Sequence, residues 1–435
     1  MGSFAKLAFG VLAISFMVFV TFFGRLPALR HTPIAWLYRV IWVTIPRAFQ
    51  RLDSRFFHGR ISSSVSRFTN YMMYDRHPTV LVFFLVLLVG GEYLYLPVVW
   101  PQISTLTKVT GTISIILPYL FLYLSAFSDP GYITSANHAS EMARYPYDFT
   151  LFHPGYTCST CTFLKPARSK HCRVCKRCVA RADHHCIFIN NCVGAKNYHW
   201  FLLLLLTTAI VTLYGGLLGM SIMTFHIRRR FPEFSLLPWR ANRGRGMTLS
   251  RWLLAWSWGF NATAGPYASS TDGILMSAVT LLALMTTPLV WGLLGYHLWL
   301  VYSGTTINES MKWSDWQADM DEGTVFKRRF DAAGRAKNLQ IEPAWTRWPV
   351  EAEQVLVRSG DGLPPGKDET RWPGQGPWKR VRKLREVENL YDIGLWDNLL
   401  DVFVPGFMFR DPQVPAAESK TRGRKKRRAK RIYLA

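Results

Sequence analysis

Hydrophobic positions along this chain gather into long unbroken runs, with little of the alternation that marks soluble strands. Five runs are close to the roughly 20 residues a helix needs to cross a bilayer: 7–23, 79–100, 110–127, 201–225 and 274–302. The fourth opens on a phenylalanine and five leucines, which rules out an ordinary surface helix. The pattern therefore predicts a first transmembrane helix within 1–23, a helical hairpin over 79–127, and two further spans within 201–302 joined by a loop at 228–272. Residues Phe22-Phe23-Gly24-Arg25 offer no small-residue cleavage site, so the first run reads as a retained helix, not a signal peptide. A shorter run at 34–45, broken by Arg39, is too short to span and reads as an interfacial helix within a linker, 24–78. Segments 128–200 and 303–435 are polar, although 390–403 is apolar enough to dock against helix ends.

Charge adds an orientation. Charged residues make up 18% of the chain, against roughly 25% in soluble domains, and the formal net charge is +24. Segment 24–78 has nine Arg and two acids, and 128–199 has nine Lys or Arg and four acids. By the positive-inside rule both belong on the cytosolic side. The N-terminus is then lumenal, the C-terminal region cytosolic and the loop 228–272 lumenal, with its sequon Asn261-Ala262-Thr263 open to glycosylation. That loop nevertheless carries seven Arg, and its tryptophans suit a membrane interface. The basic run 420–431 suits anionic lipid. No nucleic-acid partner is expected.

All seven cysteines lie within 158–192, a window of 35 residues. A disulfide framework would staple distant segments, so the clustering points to metal in a reducing compartment. Structural zinc takes four Cys or His ligands, and a C-x-x-C step can bring two sulfurs to one ion. Three such steps occur, at 158/161, 172/175 and 175/178. With His171, His184 and His185 there are ten candidate ligands. Two zinc ions need eight, which leaves two, and the count alone does not say which. A spared Cys beside a spared His with an Asp next to it has the composition of a nucleophilic site. The competing readings are a purely structural double zinc knuckle, as in a membrane scaffold or a ubiquitin-ligase-like module, and a transporter. A transporter calls for ionisable residues within the spans, and Glu92 is the only acid there.

The full run is Cys158-x2-Cys161-x9-His171-Cys172-x2-Cys175-x2-Cys178-x4-Asp183-His184-His185-Cys186-x5-Cys192. It resembles the DHHC family of integral-membrane protein S-acyltransferases. So do Lys165-Pro166-Ala167-Arg168-Ser169-Lys170 before it and Asn191-Cys192-Val193-Gly194-x2-Asn197-x3-Phe201 at its end. Asp129-Pro130-Gly131, Thr305-Thr306, and Asn389-Leu390-Tyr391-Asp392-Ile393-Gly394 with Asn398 resemble that family's further motifs. Phe188 stands in place of the usual Trp, Leu390 in place of Pro, and Glu309 one residue beyond the acid of T-T-x-E. Five candidate spans stand against the commoner four.

The resemblance implies an all-α membrane protein of four to five spans, with a cytosolic double-zinc domain between the third and fourth. It assigns one zinc to Cys158, Cys161, His171 and Cys178, and the other to Cys172, Cys175, His185 and Cys192, both structural. It leaves Cys186 as the nucleophile that takes palmitate from palmitoyl-CoA, His184 as its base and Asp183 as the group orienting His184, with ping-pong kinetics. A cavity among the helices would take the acyl chain. Arg173, Lys176, Arg177 and Arg181 are candidates for the CoA phosphates. The Thr305–Trp313 run is similar to a fungal branch named for spore-wall formation. That branch acts at the endoplasmic reticulum on SNAREs, at cysteines beside their transmembrane segments.

Overall fold

The computed structural model describes residues 31–237, 247–262, 270–332, 334–366 and 372–410, with six isolated positions before residue 31. The expected first span at 7–23, the sequon at Asn261 and the basic run 420–431 lie wholly or partly outside them. The chain divides into two compact units, Met1–Arg76 and His77–Ala435.

In the first unit, α1 (Pro33–Arg39) runs through a π-helical turn at Val40–Thr44 into α2 (Ile45–Phe56), and α3 (Arg60–Tyr74) follows. Arg47, Arg51 and Arg55 recur every four residues along α2. Ile45, Phe49, Leu52 and Phe56 form the opposite stripe, and all four are exposed. Buried Asp53 accepts from the backbone N–H groups of Ile61 and Ser62, satisfying free donors of the first turn of α3.

Among its described residues the second unit holds four helices long and apolar enough to cross a membrane: α4 (Thr79–Val99), α5 (Thr105–Phe127), α7 (Tyr198–Arg230) and α9 (Ser270–Tyr302). The short α6 (His138–Met142) lies between α5 and the cysteine window. Two spans begin before their apolar runs do. Ser104 caps α5 by accepting from the Thr107 N–H, and α7 starts at Tyr198 and continues to Arg228–Arg230, three cations that complement the helix C-terminus. Helix α7 packs along both α5 and α9, and α9 along α4. At Gly219 a Cβ would collide with Thr280 Oγ1 of α9, so the close approach of these two spans requires a residue without a side chain. The expected loop 228–272 is not plain coil. It contains α8 (Leu249–Ala262), folded back so that Ala255 and Met247 pack on Ile227 and Phe234, with Trp252 Nε1–H donating to the Ser235 carbonyl.

The chain is mostly helical, with short sheets. Two antiparallel hairpins form in the cysteine window: β1 (Lys170–Cys172) with β2 (Arg177–Val179), and β3 (His184–Cys186) with β4 (Asn191–Val193). Beyond α10 (Ile307–Asp321), strands β5 (Val325–Arg329), β6 (Gln354–Arg358) and β7 (Gln375–Arg380) make a sheet in the order β6-β5-β7. Its Val325 and Leu356 pack on Trp313, Trp316 and Met320 of α10. The apolar segment expected to dock against helix ends contains α11 (Leu395–Phe403), which packs on α9 and α7.

The end of α9 fixes the rest. Gly304 is left-handed, at φ +64°, with its N–H on the Val301 carbonyl and that of Thr305 on Leu300, the bonding pattern of a Schellman cap. A Cβ there would collide with the Tyr391 carbonyl oxygen, so glycine is required twice over. Asn398 donates to the Tyr302 carbonyl and Asn389 to that of Ser303, satisfying acceptors the helix leaves open. Thr306 then caps α10 in a reciprocal capping box with Glu309. The acid that stands one residue late in the linear motif is the partner this box uses.

Candidate active site and metal clusters

The two hairpins sort the cysteine window by strand periodicity. Successive strand residues face opposite sides, and directly opposed residues share a side. In the first hairpin His171 opposes Cys178, while Cys172 opposes Arg177. His171 and Cys178 therefore share one face, where Cys158 and Cys161 join them, and Cys172 turns to the other. Cys175 and Cys178, three residues apart, end in different clusters, unlike the C-x-x-C pairs 158/161 and 172/175. In the second hairpin His185 opposes Cys192, and these two meet Cys172 and Cys175. Each C-x-x-C turn is built alike. The second Cys donates its N–H to the first sulfur, at 3.4 Å for Cys161 and 3.3 Å for Cys175, and the next residue is left-handed, Thr162 at φ +61° and Lys176 at +56°.

The eight side chains form two four-membered sets, each with its ligand atoms within 4.8 Å of one another. His171 Nδ1 lies 3.5, 3.3 and 3.8 Å from the sulfurs of Cys158, Cys161 and Cys178. His185 Nδ1 lies 3.8, 3.4 and 3.6 Å from those of Cys172, Cys175 and Cys192. With Zn–S near 2.3 Å and Zn–N near 2.0 Å, the edges of a zinc tetrahedron are about 3.5–3.8 Å. Both sets fit zinc, and both are closed at four protein ligands.

His184 and Cys186 flank His185 on β3 and so face the other way, toward the helices. Cys186 lies in one core cluster with Leu122 of α5, Phe201 and Leu205 of α7, and Leu294 and Val301 of α9. His184 Nδ1 is 2.7 Å from Asp183 Oδ2, and the other oxygen, Oδ1, accepts from the Ile307 N–H at 2.9 Å. The capped start of α10 thereby holds the carboxylate that holds the imidazole. Burial opposes ionisation of Asp183, but His184 outweighs it and keeps the carboxyl below the usual aspartate range. Burial likewise opposes the imidazolium of His184, and Asp183 and Cys186 overcome it, raising the ring to about 9. For Cys186, burial favours the thiol, yet the bond and charge of His184, with the N–H groups of Ile189 and Phe188, bring it below an ordinary cysteine.

The flanking motifs attach this platform to the spans. Asp129 Oδ1 accepts from the N–H groups of Gly131 and Tyr132, and the Gly131 carbonyl accepts from Ala180. Asn191 and Asn197 both donate to the Ser125 carbonyl at the end of α5, and Asn197 also to Cys192.

Below it runs a buried charge network that the sequence did not single out. Arg168 is 1% exposed and makes two 2.7 Å bonds to the Glu309 carboxylate. The carboxylate of Asp401 on α11 accepts the one proton of Tyr145 Oη, which lies 2.8 and 2.7 Å from its two oxygens, and pairs with Arg181 and Arg347. Arg181 is buried and paired with Asp401, whereas Arg173, Lys176 and Arg177 are exposed. A second feature lies beside α10: a cleft of about 440 Å³ lined by Lys165, Lys170 and Lys312, with Ser169 and Asn308 at its wall. Buried Ser169 Oγ and Asn308 Nδ2 have no hydrogen-bond partner there.

A family model described as DHHC palmitoyltransferase matches residues 151–314. The palmitoyltransferase SWF1 of Neurospora crassa is 58% identical over 99% of this chain and all of its own length. Its counterparts in Emericella nidulans and Schizosaccharomyces pombe are 41% and 38% identical, over 93% and 90% of this chain and 97% and 94% of their own.

Proposed function

The chain belongs to the DHHC palmitoyltransferases, in their Swf1 branch, and from that membership we propose that Cys186 carries the acyl group during transfer. It is a membrane protein and a protein palmitoyltransferase. The observation that carries the reading is the turn of β3, which gives His185 to a metal cluster and leaves His184 and Cys186 together on the opposite side, toward the long apolar helices.

Zinc bound in the two closed sets supplies structural crosslinks, and short hairpins with little core of their own need them. The chain's own residues do the rest. His184 takes the proton of Cys186, and Asp183 holds the Nδ1–H of that ring in place. The Cys186 sulfur attacks the thioester carbon of palmitoyl-CoA, the C–S bond to CoA breaks, and CoA leaves with the proton from His184. A substrate thiol, deprotonated by His184, then attacks the acyl-Cys186 thioester. The bond between the acyl carbon and the Cys186 sulfur breaks, Cys186 leaves and takes back the proton from His184, and the substrate keeps the chain. Burial of the chain at about 0.8 kcal/mol per CH₂ gives the surrounding helix faces most of the donor affinity. For the CoA phosphates the cleft of Lys165, Lys170 and Lys312 is better supported than the exposed Arg173, Lys176 and Arg177, because its wall holds two buried polar atoms without partners.

We place the cysteine-rich domain and C-terminal region in the cytosol, with the protein in the endoplasmic reticulum membrane, on the distribution of Lys and Arg and the Swf1 likeness. The exposed apolar stripe of α2 opposite its arginine row supports a helix lying in the interface. SNARE cysteines beside transmembrane segments are the proposed substrates, since a cysteine already held at the bilayer surface meets Cys186 at high effective concentration.

The test is acylation of purified protein by labelled palmitoyl-CoA. Cys186→Ser is expected to form no hydroxylamine-labile adduct while keeping about two zinc ions per chain, and His184→Ala to slow adduct formation by about 10²–10⁴-fold. Full acylation of either variant overturns the assignment and favours the scaffold reading of the zinc domain.

A further inference from the structure

One buried titratable group beside this site has no part in the mechanism above. His297, near the C-terminal end of α9, is 1% exposed. It lies three residues after Leu294 and four before Val301, and both of these pack in the same cluster as Cys186, so the helical period turns His297 to that side. Its ring lies 5.9 Å from that of His184 and 5.1 Å from that of Phe201, centroid to centroid. Nδ1 is 2.9 Å from Tyr198 Oη, while Nε2 is buried without a hydrogen-bond partner. Either ring tautomer is compatible with that contact; in the one adopted here the Tyr198 hydroxyl gives its single proton to Nδ1. With Nδ1 accepting that proton, the ring carries its own hydrogen on Nε2. The result is an N–H donor on a ring packed beside that of His184, with no partner among the described residues, and such an atom is costly to bury unless a ligand completes it.

Thioester exchange creates the acceptor. When the Cys186 sulfur bonds to the carbonyl carbon, the C=O π pair moves onto oxygen. When that pair returns, the bond to the CoA sulfur breaks and CoA leaves with the proton from His184. The oxygen bears full charge only between these events, which is where a prepositioned donor contributes most. The backbone N–H groups of Ile189 and Phe188 are directed at the Cys186 sulfur, so the oxygen needs a donor from elsewhere. We propose that the Nε2–H of His297, its tautomer fixed by Tyr198, donates to the thioester oxygen in both half-reactions. The proposal rests on acyl transfer through Cys186.

The experiment follows single-turnover acyl-enzyme formation by full-length protein with palmitoyl-CoA, together with zinc content and the rate of Cys186 alkylation by iodoacetamide. His297→Leu is expected to slow acylation by about 10²–10³-fold, with half-saturating palmitoyl-CoA, alkylation and zinc unchanged. His297→Gln, which can present an amide N–H near the same point, should recover most of the rate. Tyr198→Phe, which frees the tautomer, should fall between. A leucine variant that acylates at the wild-type rate overturns the proposal. So does one whose alkylation falls in step with acylation, or a glutamine variant no faster than leucine. Where His297→Leu fails to fold, the other two variants decide. A slowed Tyr198→Phe beside a His297→Gln that keeps most of the rate supports the donor, and a wild-type rate for Tyr198→Phe beside an inactive His297→Gln overturns it. A Cys186→Ala arm run alongside separates the failures, since acylation of that variant overturns the underlying mechanism itself.

Discussion

A Cys192→Ala protein retains no more than about one zinc ion per chain and forms no acyl-enzyme, although Cys192 takes no part in the proposed attack or proton transfer. Cys192 sits opposite His185 across the β3–β4 pair, and its sulfur is a corner of the second metal set. A structural zinc site contributes on the order of 10–16 kcal/mol, comparable to the whole stability of a typical domain at about 5–15 kcal/mol. Three-residue strands cannot make up that loss. Without the cluster, β3 has nothing to turn His185 to one side, and His184 and Cys186 lose their common face. Metal analysis and hydroxylamine-labile labelling of the same preparation check this. Normal acylation by a one-zinc protein would show that the cluster does not position the site.

Replacing Asp401 with alanine is expected to cost about 3–5 kcal/mol, the range for removing one partner of a buried ion pair. It leaves Arg347, Arg181 and Arg168 around Tyr145 without their common anion. The exposed pair of Lys196 with Asp129 gives the contrast, since Lys196→Ala should cost only about 0–1 kcal/mol. Thermal unfolding in detergent at neutral pH compares the two. Burial disfavours the Asp401 carboxylate, but the three arginines outweigh it and hold the group below the usual aspartate range. Its contribution is therefore complete above the unfolded value of about 3.9 and is lost as the pH falls through the folded one. The gap between wild type and Asp401→Asn should close in acid. Equal melting of Asp401→Ala and Lys196→Ala at neutral pH would contradict the network's role.

Four spans and the metal-binding window could be read directly from the sequence, because long apolar runs and clustered cysteines are local signals. The split of Cys175 and Cys178 between two clusters is not local: it depends on the register that sets His171 opposite Cys178. Arg181 illustrates the same limit. Among exposed basic neighbours it reads as a phosphate ligand, and only α11, more than 200 residues later, supplies the Asp401 that buries it. Glu309 looks misplaced in a linear motif, yet three-dimensional capping of α10 uses it in that position. The sheet β5–β7 gives weak signals because its strands are five or six residues long and rich in Lys and Arg. His297 is hidden by its setting, one histidine in a largely apolar span whose hydrogen-bond partner, Tyr198, lies 99 residues away in sequence.

The central claim is that, of seven cysteines, one is left free of metal and that one takes the fatty chain. Peptide mapping of the zinc-loaded wild-type protein after brief exposure to palmitoyl-CoA tests it most directly. The account predicts a single palmitoyl thioester on the peptide containing Cys186, with zinc content undiminished. An acyl group on any other cysteine, or acylation that appears only as zinc is released, would contradict it.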